Sequence, residues 1–120
     1  MLRLRRKRDI ERTFQEGRRF YSPSAILHAR RRHPQEGLAS APRLAVVAGR
    51  RFRSAVVRNR ARRILREACR LALANTQAPW DLLLVARPHV LTLPPPARLQ
   101  AVTELLRQAD IPAEKAVVRV

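Results

Sequence analysis

Residues 44 to 86 read LAVVAGRRFRSAVVRNRARRILREACRLALANTQAPWDLLLVA, and the order of patterns within that stretch decides the fold class. Leu44 to Ala48 and Leu82 to Ala86 are unbroken apolar runs of strand length, short enough to be buried strands rather than helices. Between them Val57, Ala61, Ile64, Ala68 and Leu71 recur at the spacing of one helix face. Strand, helix, strand at this spacing is the mark of a crossover unit, which makes the two strands parallel neighbours in one sheet. Ser54 stands where its hydroxyl can accept a hydrogen bond from a backbone N–H of the first helical turn.

The helix carries an uneven charge. Residues 50 to 70 hold nine arginines and a single acid, Glu67. Arg58, Arg62 and Arg66 fall on a common edge, with Asn59, Arg63 and Arg70 alongside. Like charges four residues apart repel by a few tenths of a kcal/mol per pair, so a helix built for stability alone would interleave glutamates. Only Arg63 with Glu67 has that spacing here. The remaining charge awaits a counter-charge from outside, and phosphate suits the forked guanidinium best. The whole chain repeats the theme, with a net charge of +17 and arginine dominating its 26 basic residues. Such a charge opposes compaction and draws polyanions with an affinity that falls as salt rises.

Working outward, 120 residues at 46% hydrophobic content suit one domain, 1–120, with a single core. That core is mostly aliphatic, since Phe14, Phe20, Phe52, Tyr21 and Trp80 are the whole aromatic complement. Ile10 and Phe14 lie one helical turn apart, and Gly17 sits where a left-handed helix terminus is often found, so a short first helix ends there. Ala25 to Ala29 reads as a half-buried strand and 33 to 42 as loop. Pro94 to Pro96 cannot lie inside a helix, but the last of them can open one, and Leu99, Val102, Leu105, Leu106 and Ala109 follow at helical spacing until Asp110 to Pro112. An AVV run at 116 to 118 is open to two readings, an added edge strand or a mobile tail.

Several chemistries find no foothold. Three glycines allow neither a dinucleotide loop nor a P-loop. His28, His33 and His89 are scattered away from metal-ligand spacing, and the lone Cys69 excludes an internal disulfide and the usual zinc site; it reads as a small buried or half-buried helix residue. No carboxylate pair suggests general acid and base work. The expectations are no catalytic residue, no metal, no small-molecule cofactor, no membrane and a cytoplasmic location, because no apolar run approaches a membrane span and the basic start is not followed by a signal-peptide stretch.

The string RNR at 58 to 60 followed by ARRILRE at 61 to 67 resembles the signature of the protein subunit of bacterial ribonuclease P. The preceding strand 44–48, the basic pair Arg50 and Arg51, and the AV element at Ala55 and Val56 follow in register, and Phe14 with Gly17 and the segment Leu82 to Pro88 extend the match over nearly the whole chain. The resemblance implies an α+β, single-domain αβββαβα sandwich of the kind shared with a ribosomal protein domain, with a left-handed β-α-β crossover that the general rule for parallel units would not supply. It further implies a non-catalytic subunit of a ribonucleoprotein endonuclease, in which a large RNA carries Mg2+ and removes the 5′ leader of precursor tRNA. Arg50, Arg51, Arg58, Asn59, Arg60, Arg62, Arg63, Arg66 and Arg70 would then meet RNA. A cleft between sheet and first helix would hold the leader, where Ile10, Phe14 and His28 match positions the family usually fills with aromatics. Stacking is expected to be weaker as a result. Phe14 fits a core position beneath the first helix as well as a base platform, and His28 an exposed strand position as well as a cleft one. The rival function is a ribosomal or other structural RNA-binding protein of similar fold.

Overall fold

A computed structural model describes residues 1–36 and 40–113. The elements in chain order are β1 (Leu2–Arg3), α1 (Lys7–Glu16), β2 (Arg18–Tyr21), β3 (Ala25–Arg31), β4 (Arg43–Ala48), α2 (Ala55–Ala72), β5 (Trp80–Ala86) and α3 (Pro95–Gln108), with single 3-10 turns at Pro34–Glu36 and Pro88–Thr92. The order matches the αβββαβα expectation with one addition, the two-residue β1. The run 116 to 118 lies outside the described residues.

One mixed sheet holds all five strands in the order β1-β4-β5-β3-β2. β4 and β5 are parallel neighbours, as the crossover pattern requires, while β3 pairs antiparallel with both β5 and β2. The turn between β2 and β3 is made locally: the Ser22 hydroxyl accepts from the backbone N–H groups of Ser24 and Ala25 at 3.2 Å each, around Pro23.

Side chains alternate across the sheet, and this alternation sorts the strands into two faces. Ala25, Leu27 and Ala29, Leu44 and Val46, and Leu82, Leu84 and Ala86 face a core completed by α2 and α3. From α2 it takes Ala61, Ile64, Leu65, Ala68, Cys69 and Ala72, and from α3 Val102, Leu105 and Leu106. The core is aliphatic as expected, with Phe52 its one buried aromatic. Burying each Leu or Ile is worth about 1.5–3 kcal/mol, against a few tenths for each like-charge pair along α2, so the helix forms despite its arginines.

The docking stripe differs from the expected one at its end: Leu71 is 43% exposed, and Leu65, Cys69 and Ala72 face the core. A repeat of 3.6 residues drifts around the helix, and over five turns the buried face rotates past Leu71. Ser54 caps α2 by accepting from the Val57 N–H at 3.2 Å. At the far end of the chain, α3 closes with Asp110 in the left-handed region, φ 59°, and the buried Ile111 donating its N–H to the Leu106 carbonyl at 2.9 Å. Gly17 is not left-handed: its backbone is extended, φ −70° and ψ 150°. Its missing side chain serves close packing instead, because a Cβ there would run into the Thr13 carbonyl oxygen and lie 3.2 Å from the Ala29 backbone.

Candidate nucleic-acid interface

Two surfaces gather the candidate residues. The first is the solvent side of α2. Asn59, Arg60, Arg63 and Arg70 are exposed, while Arg58, Arg62 and Arg66, the expected open edge, are half-buried. Asn59 accepts a hydrogen bond from the Arg62 guanidinium, which fixes that pair one turn apart. Burial, together with the neighbouring charges of Arg3 and Arg62, lowers the pKa of Arg66, so Arg3 on β1 extends the basic edge beyond the helix. Nothing in the sequence flagged Arg3, because a two-residue strand leaves no periodic signal.

The expected Arg63–Glu67 pair does not form. Glu67 instead accepts from both Nε and Nη2 of Arg70, at 3.0 and 2.6 Å. A guanidinium three residues on presents its two-pronged edge to the carboxylate, and that geometry wins over the four-residue spacing. Arg63 is thereby left without a carboxylate among the described residues and Arg70 is largely neutralised: the hydrogen bond from Arg70 holds Glu67 below its ordinary value, and Arg70 rises in return. Among the described residues no carboxylate pairs with Arg50, Arg51, Arg53, Arg58, Arg60, Arg62, Arg63 or Arg66.

The second surface is the sheet face turned away from α2. The registers lay its side chains in three rows: Arg43, Asp81 and Arg30; then Ala45, Leu83, His28 and Arg19; then Val47, Val85, Ile26 and Tyr21. Helix α1 crosses this face and leaves a groove of about 370 Å³ lined by Ile10, Glu11, Phe14, Gln15, Val47, Leu83 and Val85. Ile10 and Phe14 therefore meet at the groove, with Phe14 53% exposed. Phe14 is a groove residue and not a core one.

His28 departs from an exposed strand position. It is 2% exposed and lies under Phe14, ring centroids 4.7 Å apart, so it supports the phenylalanine from below. Burial, then the charge of Arg19, lowers its pKa, against a smaller opposing effect of the Phe14 backbone, and the ring is neutral at pH 7. Its Nδ1 makes no hydrogen bond among the described residues. Arg50 and Arg51 also depart from the α2 surface; they line a groove on the open face with Tyr21, Ile26, Val85 and Arg87. Reading 44–48 and 82–86 as buried throughout concealed Val47 and Val85. The parity of each run separates them, since Val46 and Leu84 face the core and their neighbours must face away.

Cys69 is buried and its thiol is pushed up to about 12 by desolvation, so it is an inert core residue. Among the described residues no cluster of three or more His, Cys, Asp or Glu could hold a metal ion, and no helix is long and apolar enough to cross a membrane.

A family model described as Ribonuclease P matches residues 1–110. The chain belongs to the ribonuclease P protein family. Its relatives within that family include the ribonuclease P protein component of Chloroflexus aurantiacus, 43% identical over 111 residues that cover 89% of this chain and 76% of the relative. That of Symbiobacterium thermophilum is 33% identical over 109 residues, covering 91% of each. The fold is that of the ribonuclease P protein from Staphylococcus aureus, with a TM-score of 0.76 at 17% identity over 92% of this chain and 97% of that one. The ribonuclease P protein from Thermotoga maritima gives 0.74 at 23% identity over 90% and 97%. The family supplies the protein subunit of an RNA-based endoribonuclease that acts with its RNA partner in tRNA 5′ maturation.

Proposed function

We propose that this chain, as a single RNA-binding domain, grips ribonuclease P RNA with α2 and guides the 5′ leader of precursor tRNA across the open sheet face while the RNA makes the cut. The observation that carries this reading is the run of guanidiniums from Arg50 to Arg66 that have no carboxylate partner among the described residues. Had the chain's acids been placed against these arginines, α2 would present no open guanidinium edge to RNA.

Arg58, Asn59, Arg60, Arg62, Arg63 and Arg66 meet phosphates of the large RNA, each contact releasing counterions, and Arg70 contributes less because Glu67 shares its charge. Ile10 and Phe14 form an apolar wall for leader bases, with His28 holding the Phe14 ring in position. Mg2+ acts with the RNA subunit. The protein's part is to offset repulsion between RNA and precursor phosphates, which lowers the Mg2+ needed for the two to approach. The cytoplasm is the compartment in which it meets precursor tRNA.

Reconstitution tests the reading. With a bacterial ribonuclease P RNA at low magnesium, the purified protein is expected to stimulate leader removal, and protein without RNA to leave the precursor intact. Absence of stimulation would return the chain to the rival role of holding folded RNA, and cleavage without RNA would make it a nuclease in its own right.

A further inference from the structure

The geometry points to a second leader subsite, centred on Tyr21, in which the phenol ring stacks on a base while Arg50, Arg51 and Arg87 hold the adjoining phosphates. The inference rests on the open sheet face being the leader's path. It begins from an imbalance in the groove beneath α1. That groove is lined by apolar side chains with Gln15 and a single charged residue, the acidic Glu11, so it offers bases a wall and phosphates nothing. A nucleic-acid strand crossing it needs cations close by.

Those cations stand in the adjacent groove, of about 630 Å³, which shares Val85 with the first. Its apolar floor continues the third row of the sheet through Ile26 to Tyr21. With strands about 4.8 Å apart, the row from Val47 to Tyr21 runs for about 14 Å, long enough for a strand of RNA to pass from one groove into the next. Tyr21 lies on the edge strand β2 and is 55% exposed, so one face of a large ring is free to take a base. Arg87 is held beside it, donating its backbone N–H to the Ser24 carbonyl at 2.9 Å and its guanidinium to the Ser22 carbonyl at 3.4 Å. Both acceptors are backbone oxygens, so its charge remains unneutralised among the described residues.

An aromatic face next to three unpaired guanidiniums matches alternating base and phosphate, and an acidic peptide would leave the ring without a stacking partner. The subsite also answers a deficit noted in the sequence: Ile10 and His28 supply no exposed ring at the α1 end, and Tyr21 supplies one at the other.

The test uses the holoenzyme reconstituted from this chain and a bacterial ribonuclease P RNA, with equilibrium binding of a precursor tRNA bearing a long single-stranded leader and of mature tRNA without one. Tyr21→Ala is expected to weaken precursor binding by about tenfold and leave mature tRNA unchanged, since stacking on one base is worth roughly that much. Tyr21→Phe keeps the ring and is expected to restore binding, while Arg87→Gln reduces the salt dependence for the precursor alone. Unchanged precursor binding by Tyr21→Ala, or equal losses for precursor and mature tRNA, overturns the subsite. Loss at Phe14→Ala with none at Tyr21→Ala overturns the subsite and leaves the leader path standing. If the unaltered holoenzyme binds precursor and mature tRNA equally, the path fails and the subsite with it.

Discussion

At one end of the sheet Arg30, Arg32 and Arg43 converge on Asp81, whose side chain is wholly buried; on α2, Arg60 and Arg63 stand in solvent with no carboxylate in reach among the described residues. The same side chain is structural in one place and available in the other, and the distribution of acids makes the difference. Asp81 accepts from Arg32 at 2.8 Å and from Nε and Nη2 of Arg43 at 2.8 Å each. Arg30 bridges Glu16 at 3.2 Å and Glu36 at 2.8 Å, and Arg43 also reaches Asp9 at 3.6 Å. Four of the chain's nine acids thus tie α1, the 34–36 turn and the sheet together, while α2 receives one. The basic surface is a consequence of where carboxylates are placed, and not only of how few there are.

The largest effect is expected where that network breaks. Asp81→Ala leaves guanidiniums facing one another in a site from which water is excluded, a loss of about 3–5 kcal/mol. Against a typical stability of about 5–15 kcal/mol that is enough to unfold much of the population, as urea titration would reveal. Arg63→Ala on α2 is expected to stay within about 0.5 kcal/mol of the parent. A melting temperature for Asp81→Ala near that of the parent would erase the contrast between the two arginine groups. Ala61→Asp is a second severe case for a different reason: Ala61 is 0% exposed on the docking face, and a carboxylate there has no cation to meet.

Much of this architecture was legible in the sequence because it is periodic. The β4–α2–β5 unit, the Ser54 cap and the core of α3 all follow from apolar spacing and punctuation, while the turn of the stripe past Leu71, the partner of Glu67 and the outward faces of Val47 and Val85 did not. The residues that escaped have no local signature. Arg30, Arg32 and Arg43 look like any other arginines of a basic chain, and only strand pairing brings them to Asp81. Tyr21 and Val47 likewise share a row only after four strands are in register. The RNR segment could be recognised as a pattern, but which of its side chains are half-buried depends on how α2 sits on the sheet.

Acid sharpens the comparison next. Glu36 lies below its ordinary value, first because it accepts the His33 N–H and then through Arg30 and Arg12, partly opposed by burial. Its contribution to stability is complete above pH 4.5 and is lost as the pH falls through its lower folded-state value. His28 acts in an earlier window. Its folded-state value is also lowered, from 6.5, so the unfolded chain takes up the proton first and stability begins to fall below that pH. Urea midpoints measured downward from neutrality are expected to decline in two stages. His28→Phe, which keeps a ring beneath Phe14, removes the first stage, and Glu36→Gln flattens the second. Among the described residues Arg63 shares no ion pair with the Asp81 network, so Arg63→Ala leaves the whole profile unaltered in shape; a changed profile in that variant would tie the two groups together.

The smallest effect has the most telling sign. Arg62→Ala and Arg66→Ala are each expected to lower RNA affinity and reduce the slope of log K against log salt by about 0.9, the share of one phosphate contact on a duplex. Stability moves the other way. Arg66 is held next to Arg3 and Arg62 with no carboxylate among the described residues to relieve it, so Arg66→Gln, which keeps most of the aliphatic stem, is expected to gain a few tenths of a kcal/mol at low salt. That gain disappears near 1 M salt, where the screening length is about 3 Å. In the Asp81 network the loss of any arginine destabilises, because each neutralises a buried carboxylate; on α2 the loss of one relieves strain that only RNA otherwise relieves. A destabilising Arg66→Gln at low salt would mean that the helix arginines, too, serve the fold.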